Sequence, residues 1–156
     1  MALNPVIEAM VLKSMRNCPQ AVAIGMEMVS MDEATATLRA PYKAELVGDP
    51  DTGVIAGGVV TTLLDHTCGQ AVMAALRAPT PIATLDLRID YMRAAEPGLD
   101  IHAQAHCYKL THSVAFVRAT AYDRDVADPV ATAQAVFMIT GAAGAPIPDT
   151  APGDAA

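Results

Sequence analysis

One carboxylate, Asp65, stands inside an otherwise apolar stretch covering residues 57–76. A helix that is hydrophobic around most of its circumference is normally buried, and an ionised carboxylate is costly to bury without partners. Asp65 therefore requires a reason. A second feature opens the same stretch. Gly57 and Gly58 fall where the helix should begin, and a helix N-terminus offers unpaired N–H groups and partial positive charge. Two residues without Cβ let a ligand oxygen approach that backbone, which is the chemistry of an oxyanion hole. The spacing adds a demand, because eight residues of helix separate Gly57 from Asp65 by about 12 Å at ~1.5 Å per residue. One substrate carbonyl cannot touch both groups of the same chain. If both act on one substrate, the simplest arrangement is a twofold dimer in which the glycine turn of one chain faces Asp65 of the other, giving two shared sites.

The elements that must hold these residues can be read around them. Asn4-Pro5 has the form of a helix start, and Val6, Ile7, Met10, Val11 and Met15 give an apolar stripe that should end before Pro19. A hairpin is expected from residues 23–29 and 34–40, with a turn at Ser30-Met31-Asp32-Glu33. Residues 43–53 carry Gly48, Asp49, Pro50, Asp51 and Gly53 and read as a loop delivering the chain to the glycine pair. After the long helix, Pro79-Thr80-Pro81 breaks the pattern. Residues 83–92 then alternate, with Ala83, Leu85, Leu87, Ile89 and Tyr91 apolar between Thr84, Asp86, Arg88 and Asp90. Strands at 99–110, 113–123 and 129–140 follow by short turns, so an antiparallel meander of four strands is expected. The layout is α+β, with the long helix against one face of a sheet. Residues 1–19 form an N-terminal helix, 20–140 the main domain, and 141–156, rich in Gly, Ala and Pro, a disordered tail.

Composition removes several classes of function. The chain of 156 residues is long enough for one domain with a substantial core, and 53% hydrophobic residues with a mean hydropathy of +0.31 points to surface buried between copies. A net charge of −7 and the absence of Trp argue against nucleic acid as a partner. Asp65, His66 and Gln70 interrupt the best apolar run, so no membrane span is expected. No secretory leader is evident, and a cytoplasmic location is the simplest expectation.

Other chemistry-bearing residues give weaker signals. Cys18, Cys68 and Cys107 are odd in number and form no CxxC, which suits reduced core residues. His102 and His106 fall on the polar face of an alternating strand with no third ligand motif beside them, so no metal site is assigned. There is no P-loop, dinucleotide fingerprint or nucleophile elbow, and no cofactor is called for.

With these residues in place, the chain resembles the hotdog-fold acyl-CoA thioesterases, and among them is similar to the phenylacetate-degradation type. The pattern there is Asn-x-x-Gly-x-x-His-Gly-Gly, six residues, then Asp. Here Gly53, Gly57, Gly58 and Asp65 match in register, and the strand from Thr84 through Ala95 with the turn at Gly98 is a second match. The resemblance implies a curved antiparallel sheet of about five to six strands wrapped round the long helix, assembled as a homodimer or homotetramer. It implies hydrolysis of an acyl-CoA to free acid and CoA, and the many Ala, Val and Met residues of the helix allow a medium-chain or aryl acyl group without choosing between them. Gly57 would donate its N–H to the thioester carbonyl, Asp65 from the partner helix would act as general base or nucleophile, and Thr84 would orient water.

Two positions depart from that pattern, Ala56 in place of His and Pro50 in place of Asn. Asp49, Asp51 and His66 are the side chains at hand to supply what is missing. Substrate binding is assigned to Gly58, His66, Arg88 and Arg93, with Lys109 and Arg118 as further cations for the CoA phosphates. Two readings stay open beside the thioesterase. One is a binding protein for acyl-CoA or a lipid-like ligand without turnover. The other is a hydratase, which ranks lower because His66 points about 100° away from Asp65 on a helix.

Overall fold

The computed structural model describes residues 5–76, 78 and 80–140. The expected Asn4 cap, Pro79 and the tail at 141–156 lie outside them. The first helix, α1 (Pro5–Asn17), buries Ile7, Val11 and Met15. It ends before Pro19, as expected, and Pro19 then begins a second helix that the sequence reading did not include, α2 (Pro19–Ile24). Proline suits the first helical position, where the missing N–H has no partner anyway. Gly25, at φ +79°, closes α2 by donating to Ala21 O and Val22 O. The hairpin strands are therefore shifted from the expected bounds to β1 (Glu27–Asp32) and β2 (Thr35–Ala40).

The stretch expected to be loop contains a 3-10 turn (Ala44–Leu46) and a small ribbon of β3 (Val47–Asp49) and β4 (Val54–Ile55). Asp49 folds its end. It accepts from Asp51 N (3.0 Å) and Thr52 Oγ1 (2.8 Å), while its carbonyl accepts from Gly53 N at 2.8 Å. Gly53 then takes φ +75°, a left-handed value that an L side chain adopts only with strain. This turn aims the chain into α3 (Gly57–Ala75), which begins at the expected glycine.

Four long strands follow: β5 (Ile82–Tyr91), β6 (Ile101–Leu110), β7 (Val114–Tyr122) and β8 (Ala131–Ile139). They do not form a simple meander. The six-stranded antiparallel sheet runs β1-β2-β6-β7-β8-β5, so β5 crosses over to pair with β8 and lies at an edge. Only β6, β7 and β8 are joined as consecutive neighbours. The alternation expected along β5 also breaks. A bulge at Leu85 shifts the register between Thr84 and Asp86, and Leu85 and Tyr91 are exposed while Leu87 and Ile89 are half-buried.

With α3 packed across this sheet, chiefly on β6, β2 and β7, the architecture is the α+β hotdog arrangement that the sequence led us to expect. The inner face of the sheet is unusually small-grained. Ala103 and Ala105 on β6, Ala119 and Ala121 on β7 and Ala133 and Ala135 on β8 all face the core. Methyl groups there let the helix backbone lie close, and Leu63, Leu64 and Val72 of α3 fill the space between. Ala103 has no exposed surface. Ala103→Leu should therefore lower stability by about 1–3 kcal/mol in urea unfolding, by overpacking; an unchanged midpoint would show slack between helix and sheet.

Candidate active site

Gly57 is the first residue of α3, with Ala56 as its cap residue. Ala56 contributes no side-chain cap, and the N–H groups of Gly57 and Gly58 find no acceptor among the described residues. Their peptide groups are nevertheless held in place. The Gly57 carbonyl accepts from Tyr91 Oη at 2.7 Å and from Thr61 Oγ1 at 3.1 Å, and these two hydroxyls lie 2.8 Å apart. Ala56 N donates to Leu46 O at 2.9 Å, which fixes the preceding peptide. The glycine pair is exposed, and a Cβ on Gly58 would meet nothing. Gly57 opens onto a cleft of about 400 Å³ walled by Val60, Tyr91, Met92 and Val130. What this end of the helix can do is donate backbone hydrogen bonds to a negative oxygen.

Asp65 lies on a different cleft, of about 410 Å³, that shares no lining residue with the first. It is half-buried, not enclosed. The Thr84 hydroxyl donates to Asp65 Oδ1 at 3.0 Å, joining the helix to the edge strand. The other carboxylate oxygen, Oδ2, has no hydrogen bond among the described residues. His66 lines the same cleft, its Nε2 3.9 Å from Cys18 Sγ. Met15, Met73, Ile82 and Phe137 make the rest of its wall largely apolar. A carboxylate so placed can take a proton or attack an electrophile beside an apolar group.

The structure thus brings Asp65, Thr84 and His66 to one cleft and puts Gly57 on another. The cations are distributed differently from expectation. Arg93 does line the Gly57 cleft, but its charge is already engaged. It donates to both oxygens of Asp123 at 2.9 and 2.6 Å and to Asp128 O at 2.8 Å. Its Nε also lies 3.1 Å from Asp128 Oδ2, an ion-pair contact without hydrogen-bond alignment. Asp123 accepts two backbone N–H groups as well, from Glu96 and Arg124, so Arg93 ties the 93–98 turn to the 123–128 loop. Hydrogen bonding to Arg93 holds the Asp123 carboxyl well below the usual carboxylate range. Arg88 is exposed on β5, 3.3 Å from Asp90, and Arg118 stacks over the Tyr108 ring at 4.3 Å.

Three residues of the two clefts were not singled out from sequence. Tyr91 looked like a core position of an alternating strand. Cys18 looked like a core thiol, whereas Cys68 and Cys107 are buried and Cys18 is half-buried in the cleft. Gln70 was noted only for interrupting an apolar run, yet it lines the Asp65 cleft. A polar side chain in the middle of a buried helix was the available signal for Gln70. Tyr91 had none, because a bulge cannot be read from an alternating pattern. Among the described residues no group of His, Cys, Asp and Glu could hold a metal ion, and no helix is long and apolar enough to cross a membrane.

Comparison with known proteins places this geometry in a family context. Residues 52–130 match the model of the thioesterase superfamily. A Pseudomonas aeruginosa protein of known crystal structure is 41% identical, covering 82% of this chain and 93% of its own, with a TM-score of 0.72. The Escherichia coli PaaI protein from the phenylacetic acid degradation operon superposes with a TM-score of 0.79 over 90% of this chain and 97% of its own. At 18% identity that likeness concerns the fold. A Halobacterium salinarum protein named as a candidate esterase is 34% identical over 79 residues. Those residues are 49% of this chain and 52% of the relative, so the match spans about half of each.

Two predictions follow from the charges and thiols around the clefts. The folded Asp123 carboxyl ionises more easily than an unfolded one, so its stabilising contribution is present above the unfolded value near 4 and is lost as pH falls toward the folded value. Asp123→Asn should lower Tm at pH 7 and flatten its decline between about pH 5 and 2; an acid limb as steep as in the parent would mean that other carboxyls control it. Burial, reinforced by the negative charge of Asp65, pushes the Cys68 thiol up to about 12, and burial also raises Cys107. Iodoacetamide at about pH 8 should then alkylate only Cys18 in the native protein, with Cys68 and Cys107 reacting after denaturation. Rapid labelling of Cys68, read by peptide mass spectrometry, would contradict its assignment to the closed core.

Proposed function

The chain belongs to the thioesterase superfamily, and from that premise we propose that it hydrolyses the thioester of a medium-chain or aryl acyl-CoA to the free acid and CoA. The observation that carries this reading is the pairing of Thr84 with Asp65 on an apolar cleft, separate from a helix N-terminus with unpaired donors. Each cleft supplies half of what hydrolysis needs. The Gly57 end has donors for an oxyanion and no carboxylate among the residues that line its cleft, and the other cleft holds the carboxylate of Asp65. A twofold homodimer that sets Gly57 of one protomer against Asp65 of the other completes two sites, and a homotetramer would repeat the arrangement.

In that site the thioester carbonyl accepts from the Gly57 N–H, and the exposed Gly58 leaves room for the approach. Thr84 holds Oδ1 of Asp65, so Oδ2 faces the reaction. As general base, Asp65 removes a proton from water while the water oxygen bonds to the carbonyl carbon, and the negative charge that develops on the carbonyl oxygen is held by the helix end. Collapse of the adduct re-forms the carbonyl, breaks the C–S bond and releases the CoA thiolate, which takes up a proton. As nucleophile, Asp65 would instead bond to the carbon and expel the thiolate, and water would then cleave the resulting anhydride. His66 and the apolar wall receive the acyl group. Arg88, exposed on the strand that carries Thr84, is the cation we assign to the CoA phosphates, since Arg93 is engaged by Asp123 and Asp128. Unpaired cysteines suit a reducing compartment such as the cytoplasm.

A binding protein without turnover is the second reading, favoured by Ala56, which brings no polar side chain to the helix start. Substitution separates the two. Asp65→Asn should reduce release of free thiol by about a hundredfold or more. Gly57→Pro removes the N–H and adds a ring, whose Cβ would meet Tyr91 Oη only at an ordinary contact distance of 3.6 Å. Proline is favoured at this first helical position, and Ala56, at ψ 136°, already has the conformation that a following proline requires. Its rate should fall about 10²–10³-fold with the fold intact. Subunit exchange between the two inactive variants should restore about a quarter of parental activity if the site is shared. Saturable CoA-ester binding with no thiol release would favour the binding protein, and release insensitive to Asp65→Asn would remove Asp65 as base or nucleophile.

A further inference from the structure

Tyr91 is held in place by something other than its own burial. It is 51% exposed at the end of an edge strand, yet its hydroxyl donates to Gly57 O at 2.7 Å. Among the described residues it is the one side chain of another element that bonds the backbone of α3. The threonines of α3 show what the helix does by itself, since Thr61, Thr62 and Thr67 each turn a hydroxyl back to the carbonyl four residues earlier. Thr61 lies 3.1 Å from Gly57 O and 2.8 Å from Tyr91 Oη, so its proton goes either to the carbonyl or to the phenol that bonds the carbonyl. In both assignments Gly57 O gains over a plain helical carbonyl, which has only the N–H four residues on.

That carbonyl belongs to the peptide whose other end is the Gly58 N–H. The two groups of a trans peptide point in opposite directions, and a hydrogen bond at the oxygen draws electrons from the nitrogen and makes the N–H a stronger donor. The Gly57 N–H is served differently. Its peptide carbonyl is Ala56 O, which accepts from Val59 N at 3.0 Å and from no side chain among the described residues. Gly58 is exposed, and a Cβ there would meet nothing, so an oxygen has room to reach its N–H. Resting on the thioesterase reading of the two clefts, we infer that the Gly58 N–H is a second donor to the oxyanion and that Tyr91, assisted by Thr61, is its positioning residue. The phenol fixes the 57–58 peptide and polarises it toward the substrate without touching the reacting atoms. A stronger donor gains most against a full negative charge, which the carbonyl oxygen carries in the transition state and not in the bound ester. The contribution of Tyr91 therefore falls on turnover and spares binding.

The test measures kcat and KM on a CoA ester that the parent hydrolyses, for the full chain and for Tyr91→Phe and Thr61→Val. Tyr91→Phe should lower kcat by about three- to tenfold with KM changed by less than about twofold, and Thr61→Val should lower kcat by a smaller factor. A second readout separates polarisation from bracing. The ester is labelled with carbon-13 at its carbonyl and bound to Asp65→Asn, which holds it without rapid turnover, and its infrared C=O stretch is recorded. Adding Tyr91→Phe should move that stretch to higher frequency, because the donor at the oxygen is weaker. A mere brace would lower the Tm of Tyr91→Phe and leave both kcat and the stretch where they were, and a direct substrate contact would raise KM at unchanged kcat. Either result overturns the role of Tyr91 while leaving the thioesterase in place. If no ester is hydrolysed, the thioesterase reading fails by itself, and the stretch of the labelled ester on the parent and on Tyr91→Phe decides. A shift to higher frequency in the variant supports Gly58 as a donor tuned by Tyr91, and an unchanged stretch, or no binding of the ester, overturns it.

Discussion

Everything in this fold depends on how closely α3 can approach the sheet. A helix apolar around most of its surface cannot lie on a sheet with one side left in water, and here the sheet answers with alanines on three neighbouring central strands. Small side chains on the sheet and Leu or Val on the helix divide the interlayer volume, so the contact is dense without long side chains from both partners. One consequence is rigidity. Gly57 and Asp65 are carried on one buried rod, and their separation cannot be adjusted by a loop. Chemistry that needs both the Gly57 donor and the Asp65 carboxylate at one carbon would therefore have to take them from two such rods.

The edge strand supplies what the helix cannot. β5 pairs on one side only, with β8, and its bulge at Leu85 lies next to Thr84, the residue that reaches Asp65. Tyr91 at the other end of β5 reaches Gly57 O. One strand thus reaches α3 both at its first residue and at Asp65 in its middle, through two side chains seven residues apart in β5. Loss of alternation in β5 is the structural counterpart of that bracing, since a strand that kept all its apolar residues inward could not turn Tyr91 and Thr84 to the helix surface.

Much of this was legible in the sequence, and the parts that were not share a cause. The helix start at Gly57, the polar face of β6 and the α+β layout follow from local pattern: a glycine pair, a period of two, a run without charges. Pairing order does not. Nothing in residues 82–91 says that β5 passes over its sequence neighbour to lie beside β8, because the choice is made by which edges remain open once β2 has paired with β6. Arg93 shows the same limit for charge. Its sequence context beside the strand end suggested a cation available to a ligand, but Asp123 and Asp128, thirty or more residues on, take it into a bracket between two loops. The first helix stops before Pro19 as its sequence implied, but the short helix that Pro19 begins was not legible, since proline suits a first helical position as well as a helix stop.

The polar residues of α3 show what a buried helix retains and why. Thr61 and Thr62 return their hydroxyls to carbonyls of the first turn, at Gly57 and Gly58, and Thr67 does the same at Leu63. These groups cost little because the helix absorbs them. Asp65 cannot be absorbed in this way, because a carboxylate only accepts and the helix offers no free N–H in its interior; it requires a cleft and an outside donor, and it has both. Gln70 could in principle have been absorbed or replaced, yet it stands buried and incomplete beside that cleft. On one helix, then, the same energetic rule sorts the polar side chains into those that the helix absorbs and those whose partner has to come from outside it. Asp65 falls in the second group, with Thr84 of the edge strand as its donor, and the buried Oε1 of Gln70 is left without a partner among the described residues.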